Sequence, residues 1–378
     1  MDGGLTEEQN LLKDSVERFI ERDYPFDTRR ELAAGEEGFS HAVWARFAEF
    51  GWLAAPLPEA HGGLGGSPVE VAILMEAFGR GLVLEPYLST VILGGGLLSL
   101  AGSDAQKAAL LPAIAEGRLM LAFAYAEPQS RYNPSDVETR AEPRGDAYLL
   151  NGRKSVVFHA ATADKLIVSA RTAGEARDAA GIGLFLVDRE AEGLTLRAYP
   201  TVDGLRAAEL RLEDVRVDGG AAVGEAGGAL PIIEQVLDRA TIAVCAEAVG
   251  TMGVLLEATR AYLETRTQFG APIGSFQVLQ HRVVDMFMAY ELSRALVYRA
   301  AAAAEDAADR AAAASAAKVQ VGKAGRMIGQ AAIQLHGGMG MTEEFAVGHH
   351  FKRLSMIGAL FGDTDHHLRR FAALRRAS

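Results

Sequence analysis

The sequence predicts an α+β chain in three stretches: helical, then β, then helical again. Three observations carry this expectation. Apolar residues recur with a helical period from Leu5 to about Gly117, the period drops to two between about Arg118 and Gly228, and long helical runs return from about Ala229. The frame is that of an ordinary globular protein, with 378 residues, 49% of them apolar, and room for two or three structural units. The net charge of −11, without a basic block before the last few residues, argues against nucleic acid as a partner.

The elements follow in order. "TEEQNLLKDSVERFIERDY" opens with a capping box, Thr6 with Gln9, and sets Leu11, Leu12, Val16, Phe19 and Ile20 towards one face. Turn-rich "PLPEAHGGLGGSPVE" separates it from a second helix, "VEVAILMEAFGRGL". Then come short runs of strand character, "YLLNGRKSVVF", "KLIVSAR", "GIGLFLVD" and "LRLEDVRV", broken by Gly, Asp and Asn turns, which read as a mostly antiparallel β domain. Helices are expected at roughly 230–264, 277–305 and 307–335, with two shorter ones after them. The alanine-heavy segment around residue 310 is a high-propensity helix packed in a bundle.

Several chemistries are excluded or demoted. No GxGxxG follows a strand, and neither a P-loop nor GxSxG occurs. The single cysteine, Cys245, lies in apolar "ATIAVCAEAVG" and reads as a small buried hydrophobe, which favours a cytoplasmic location. The N-terminus has no signal-peptide pattern, and "VILGGGLLSLAG" is too short and glycine-broken to cross a bilayer, so no membrane association is expected. "ALFGDTDHHLRR" gathers Asp363, Asp365, His366 and His367, the right donors for a divalent metal. Only residues three or four apart converge on one helix face, however, so a helix start capped by Asp363 or Thr364 is the simpler reading and no metal is expected.

Two stretches retain chemical interest. In "ETRTQFGAPIGSFQVLQHRVVDM", Arg266 and Phe269 precede a Gly-Ala-Pro turn, and Phe276, Gln277 and Gln280 open a helix. An arginine near a turn offers a forked donor that suits a phosphate pair, with an apolar wall beside it. In "QLHGGMGMTEEF", Gln334 ends a helix, and Gly337 and Gly338 permit close approach to the backbone.

Together with "PLPEAHGGLGG", "AYAEP" and "LNGRKSVV", and in this order, these stretches resemble the acyl-CoA dehydrogenase family over essentially the whole chain. Within it, "SRYNPSDVETR", "SARTAGEARDAAGIGLFLVD", "DGLRAAEL" and "FKRLSMIGALFGDTDHHL" are most similar to the shorter chains of two-component enzymes, such as the small subunit of pimeloyl-CoA dehydrogenase. The resemblance implies an N-terminal helical domain (1–117), a central β-barrel-like domain (118–228) and a C-terminal four-helix bundle (229–378). It also implies FAD as cofactor and an acyl-CoA thioester as substrate. A carboxylate removes the α-proton while hydride leaves the β-carbon for flavin N5, and an electron-transfer flavoprotein reoxidises the flavin.

By the same resemblance, Arg266, Phe269, Phe276, Gln277, Gln334, Gly337 and Gly338 contact the pyrophosphate and adenosine of FAD, reaching across a subunit interface. The positions nearer the flavin ring depart from the family pattern. Ala126 replaces the Thr of "Thr-Glu-Pro", and Val156, Val157 and Phe158 replace "Trp-Ile-Thr". Phe361 stands where many members have the glutamate base, and the other base position used in the family aligns with about Ala240. Glu247, two turns further along, is either hydrogen-bonded structure or a base with a raised pKa, and the catalytic residue stays unassigned. The expectation is the non-base half of a heteromeric FAD-dependent acyl-CoA dehydrogenase whose longer partner subunit supplies the ring site and the carboxylate. A self-sufficient homo-oligomer using Glu247, or an acyl-CoA-binding subunit without flavin contact, are the alternatives.

Overall fold

The computed structural model describes residues 4–377. In chain order the helices are α1 (Glu7–Asp23), α2 (Phe26–Ala34), α3 (His41–Glu49), α4 (Pro68–Gly81), α5 (Gly96–Ala101) and α6 (Asp104–Ala115). Strands β1 (Leu121–Ala124), β2 (Arg140–Arg144), β3 (Ala147–Phe158), β4 (Lys165–Arg171), β5 (Ile182–Asp188), β6 (Leu194–Pro200) and β7 (Arg206–Asp218) follow. Then come α7 (Leu230–Thr265), β8 (Thr267–Gln268), β9 (Ala271–Pro272), α8 (Gln277–Ala302), α9 (Arg310–His336), α10 (Ala346–Ala359) and α11 (Thr364–Ala377). The chain forms two compact units.

One unit takes in the chain up to Glu31, Ser67–Val83, and everything from Thr241 onward. Thr6 and Gln9 form the expected capping box at α1, and Val16, Phe19 and Ile20 are buried. Leu11 is 62% exposed, because it lies about 100° off the stripe that Leu12, Val16, Phe19 and Ile20 share. Ser67 caps α4, with Pro68 at its first turn. Gly79 of α4 faces the Glu247 carbonyl of α7, and Gly250 of α7 faces the Glu76 carbonyl; a Cβ at either position would run into the opposite backbone, so the two helices touch main chain to main chain. Helix α9 packs against α8, α10 and α11. Its alanine-rich face, including Ala314, Ala317, Ala324 and Ala332, is buried, which is why a segment of low side-chain volume sits at the centre of the bundle. By length and composition α7 alone among the described helices passes for a membrane span, but 83% of its most apolar window is buried inside the fold.

The other unit comprises Leu32–Gly66 and Leu84–Ala240. Its seven-stranded sheet runs β1-β4-β2-β3-β7-β6, with β5 on the other side of β4. The β2–β3, β3–β7, β4–β5 and β6–β7 pairs are antiparallel, as expected, while β1 and β2 meet β4 in parallel. Leu150, Val157, Leu166, Val168, Phe185, Val187, Leu210 and Val215 fill its core. Fully burying a side chain of this size stabilises the fold by roughly 1.5–3 kcal/mol. A π-helical stretch, Leu88–Gly95, leads into α5, and Thr90 ties it to β1 by exchanging hydrogen bonds with the backbone N–H and carbonyl of Leu121, both at 3.1 Å.

Candidate functional site

The first constellation lies at the end of α7. The Arg266 N–H donates to the Tyr262 carbonyl (2.8 Å) and the Ile273 N–H returns to the Arg266 carbonyl (2.8 Å), which closes the β8–β9 hairpin. Its two loop residues, Phe269 and Gly270, have φ +54° and +78°. A two-residue hairpin with both φ positive favours Asn-Gly, and a bulky residue there is strained. Phe269 is nonetheless 94% exposed, so neither burial nor backbone preference explains a phenylalanine. Its ring meets that of Phe276 edge-on at 6.2 Å, and Phe276 caps α8, of which the exposed Gln277 is the first residue. Arg266 is exposed, and among the described residues its guanidinium has no side-chain partner.

The second constellation is the end of α9. Gln334 is exposed. Gly337 has φ +62° and ψ −141°, a conformation reserved for glycine, and a Cβ added at Gly337 or Gly338 would meet nothing within 4 Å. The glycines are therefore not needed for internal packing and leave an open stretch of backbone. The rings of Tyr262, one turn before Arg266, and His336, one residue before Gly337, lie 4.7 Å apart, so the two constellations are neighbours. A free forked cation beside a side-chain-free backbone segment has the donor chemistry that a pyrophosphate requires.

The β-domain positions are organised differently. The Glu127 carboxylate accepts from Lys154 Nζ (2.6 Å), the Glu138 N–H (2.7 Å), the Thr139 N–H (3.1 Å) and Gln129 Nε2 (2.9 Å). Burial pushes its pKa up, but the Lys154 charge and these hydrogen bonds outweigh that and hold it below the usual range. Glu127 is thus a structural carboxylate. After Lys154 the β3–β7 register slips. There Val156, 46% exposed, takes φ +53°, an outlier for a β-branched residue, while Val157 turns into the sheet core. At this bulge Val156 presents an isopropyl group, while its N–H and the Tyr199 hydroxyl both donate to Glu209 Oε1, at 3.4 and 2.8 Å.

Phe361, which the family resemblance sets at the base position, has φ +56° and follows the end of α10. Its carbonyl lies 3.0 Å from His367 Nε2, and the next carbonyl, of Gly362, accepts from Lys318 Nζ at 2.5 Å. Lys318 also donates to the Gly358 carbonyl (3.2 Å). Burial, reinforced by the Lys318 charge, pushes the His367 imidazole down to about 3. Asp363 accepts from the His366 N–H (2.8 Å) and so caps α11, and no cluster of three metal-ligating side chains occurs among the described residues. Ala240 is fully buried. Glu247 is buried too, and Arg353 binds both of its oxygens, at 2.5 and 2.6 Å. Burial pushes the Cys245 thiol up to about 12, consistent with an inert core residue.

An exposed forked cation beside an open glycine backbone, in a helix–sheet–helix chain, is the arrangement that comparison with known proteins assigns to a class: FAD-dependent oxidoreductases acting on CH–CH bonds. Models of the acyl-CoA dehydrogenase N-terminal, middle and C-terminal domains match residues 6–118, 122–215 and 227–374. The chain belongs to the acyl-CoA dehydrogenase family, whose members use FAD. It is 31% identical to the probable acyl-CoA dehydrogenase YngJ of Bacillus subtilis, over 92% of each chain. It is 30% identical, over 91% of each, to the caffeyl-CoA reductase-Etf complex subunit CarC of Acetobacterium woodii. The ChsE4-ChsE5 complex of Mycobacterium tuberculosis contains a chain with the same fold, with TM-score 0.91, 26% identity and full coverage of both chains.

Arg353 and His336 were not singled out from the sequence. Glu247 and Arg353 are far apart in the chain, and no local pattern pairs them. For Phe269 the signal was present, since Phe-Gly between short β-prone segments marks a costly turn.

Proposed function

We propose that this chain is the non-base subunit of a heteromeric acyl-CoA dehydrogenase, which carries out α,β-desaturation of an acyl-CoA thioester together with a longer subunit. Arg266, Phe269, Phe276, Gln277, Gln334, Gly337 and Gly338 contact the pyrophosphate and adenosine of the FAD whose ring the partner holds. The partner also supplies the catalytic carboxylate, and an electron-transfer flavoprotein takes the electrons. Phe269 carries this reading: an almost fully exposed aromatic on a strained turn, near an arginine with no side-chain partner among the described residues, is costly for the chain alone and useful only against something else.

Other observations support it. Val284, Phe287, Met288 and Leu292 leave α8 with an exposed apolar face, which suits a subunit interface. The base position holds Phe361, and Glu247 is engaged by Arg353, which weighs against a self-sufficient enzyme using Glu247. Relatives include a subunit of a reductase-Etf complex and a two-chain complex. In this reading the functional divisions lie at 1–117, 118–228 and 229–378. A cytoplasmic location accords with the single buried cysteine.

The test is Arg266→Ala in the assembled complex. Loss of a charge-assisted contact should weaken FAD binding by about 1.5–3 kcal/mol. Unchanged flavin affinity would favour a subunit without FAD contact.

A further inference from the structure

Building on the proposed cofactor contacts, we infer that His336 is a positioning residue that sets the two halves of the FAD clamp against each other. Its ring lies between two aromatic neighbours, 4.7 Å from Tyr262 and 5.2 Å from Phe345. Tyr262 stands one turn before Arg266 and accepts that residue's backbone N–H. Phe345 closes the loop that begins at Gly337 and caps α10. The same ring therefore contacts the arm bearing Arg266 and the far end of the segment bearing Gly337 and Gly338, a segment that its own residue begins in the chain.

His336 is itself fixed. It is 3% exposed, and its Nδ1 lies 2.9 Å from the Ala332 carbonyl, which only accepts, so Nδ1 carries the proton. Nε2 is then an acceptor, buried and without a partner among the described residues. His336→Phe therefore keeps a flat ring against both aromatic neighbours while removing the ring nitrogens. The loop is held from its other side as well: His349 Nε2 lies 3.1 Å from the Glu343 carbonyl, and Lys352 Nζ donates to the Glu343 carboxylate at 2.8 Å. Removing the His336 ring should therefore shift the spacing between Arg266 and the glycines without releasing the loop.

The experiment compares His336→Phe and His336→Leu in the assembled holoenzyme. It measures the FAD dissociation constant by flavin fluorescence, and the KM for acyl thioester at saturating FAD. His336→Phe, which keeps the ring, should hold FAD within about threefold of the parent. His336→Leu should lose about tenfold, the scale of a lost aromatic contact, with KM unchanged. A merely structural role would move both quantities, or neither, and would overturn the inference, as would equal losses in the two variants. If His336→Leu does not assemble, Tyr262→Leu removes the contact from the other arm and reads the same split. Arg266→Ala, run in parallel, separates the two levels. If it weakens FAD and the ring variants do not, only the positioning role falls; if neither affects FAD, the clamp itself falls.

Discussion

Arg353 grips Glu247 by both carboxylate oxygens, Nε to Oε1 at 2.5 Å and Nη2 to Oε2 at 2.6 Å, and both side chains are buried. A carboxylate held in this way has both oxygens engaged in a buried ion pair. Glu247→Gln should cost up to about 3–5 kcal/mol of stability by removing the anion that grips the buried guanidinium through both oxygens. Pairing it with Arg353→Met should restore most of that loss, as read from denaturant midpoints. If Glu247→Gln instead left stability and flavin intact while abolishing turnover, Glu247 would be the base.

Phe269 predicts an opposition between stability and function. Asparagine tolerates the left-handed conformation that this turn imposes, so Phe269→Asn should stabilise the chain by about 1 kcal/mol. The same change should weaken flavin retention in the assembled enzyme. A variant that is both more stable and equally flavin-saturated at limiting FAD would contradict the role assigned to this ring.

Acid sensitivity follows from two buried imidazoles. Burial first, then nearby positive charge, pushes His350 and His367 from 6.5 down to about 3. Above pH 6.5 they are neutral whether the chain is folded or not and contribute nothing to pH dependence. As pH falls below 6.5 the unfolded chain takes up protons that the folded chain refuses, so stability drops until about pH 3 and then levels. Between pH 6.5 and 5 each histidine should cost the fold about 2 kcal/mol. Chemical denaturation at pH 7.5 and pH 5 measures this, and His367→Gln should flatten the curve.

Much of the architecture was legible because periodicity is a direct consequence of burial. The long helices begin and end close to where the 3.6-residue pattern does, and α8 stops at Ala302 because Glu305 and Asp306 open a polar turn before α9. Strands β3, β4, β5 and β7 announce themselves by β-branched runs. By contrast β1 is the alanine-rich "LAFA", buried throughout, and β2 contains a proline and three charged residues, so neither shows the alternation of a strand. Motif order pointed to Arg266 and the Gly337–Gly338 pair. Residue type could not reveal the left-handed backbone of Val156 and Phe361, nor the contacts of Lys318 with two carbonyls 40 and 44 residues away, because these depend on tertiary packing.

The central claim is that this chain completes a neighbour's flavin site and does not supply the base. It is tested most directly by purifying the chain alone and together with a longer acyl-CoA dehydrogenase subunit, then recording flavin stoichiometry and acyl-CoA oxidation. The account predicts substoichiometric flavin and no dehydrogenase activity for the chain alone, with both restored in the complex. A full flavin spectrum and turnover from the isolated chain would contradict it.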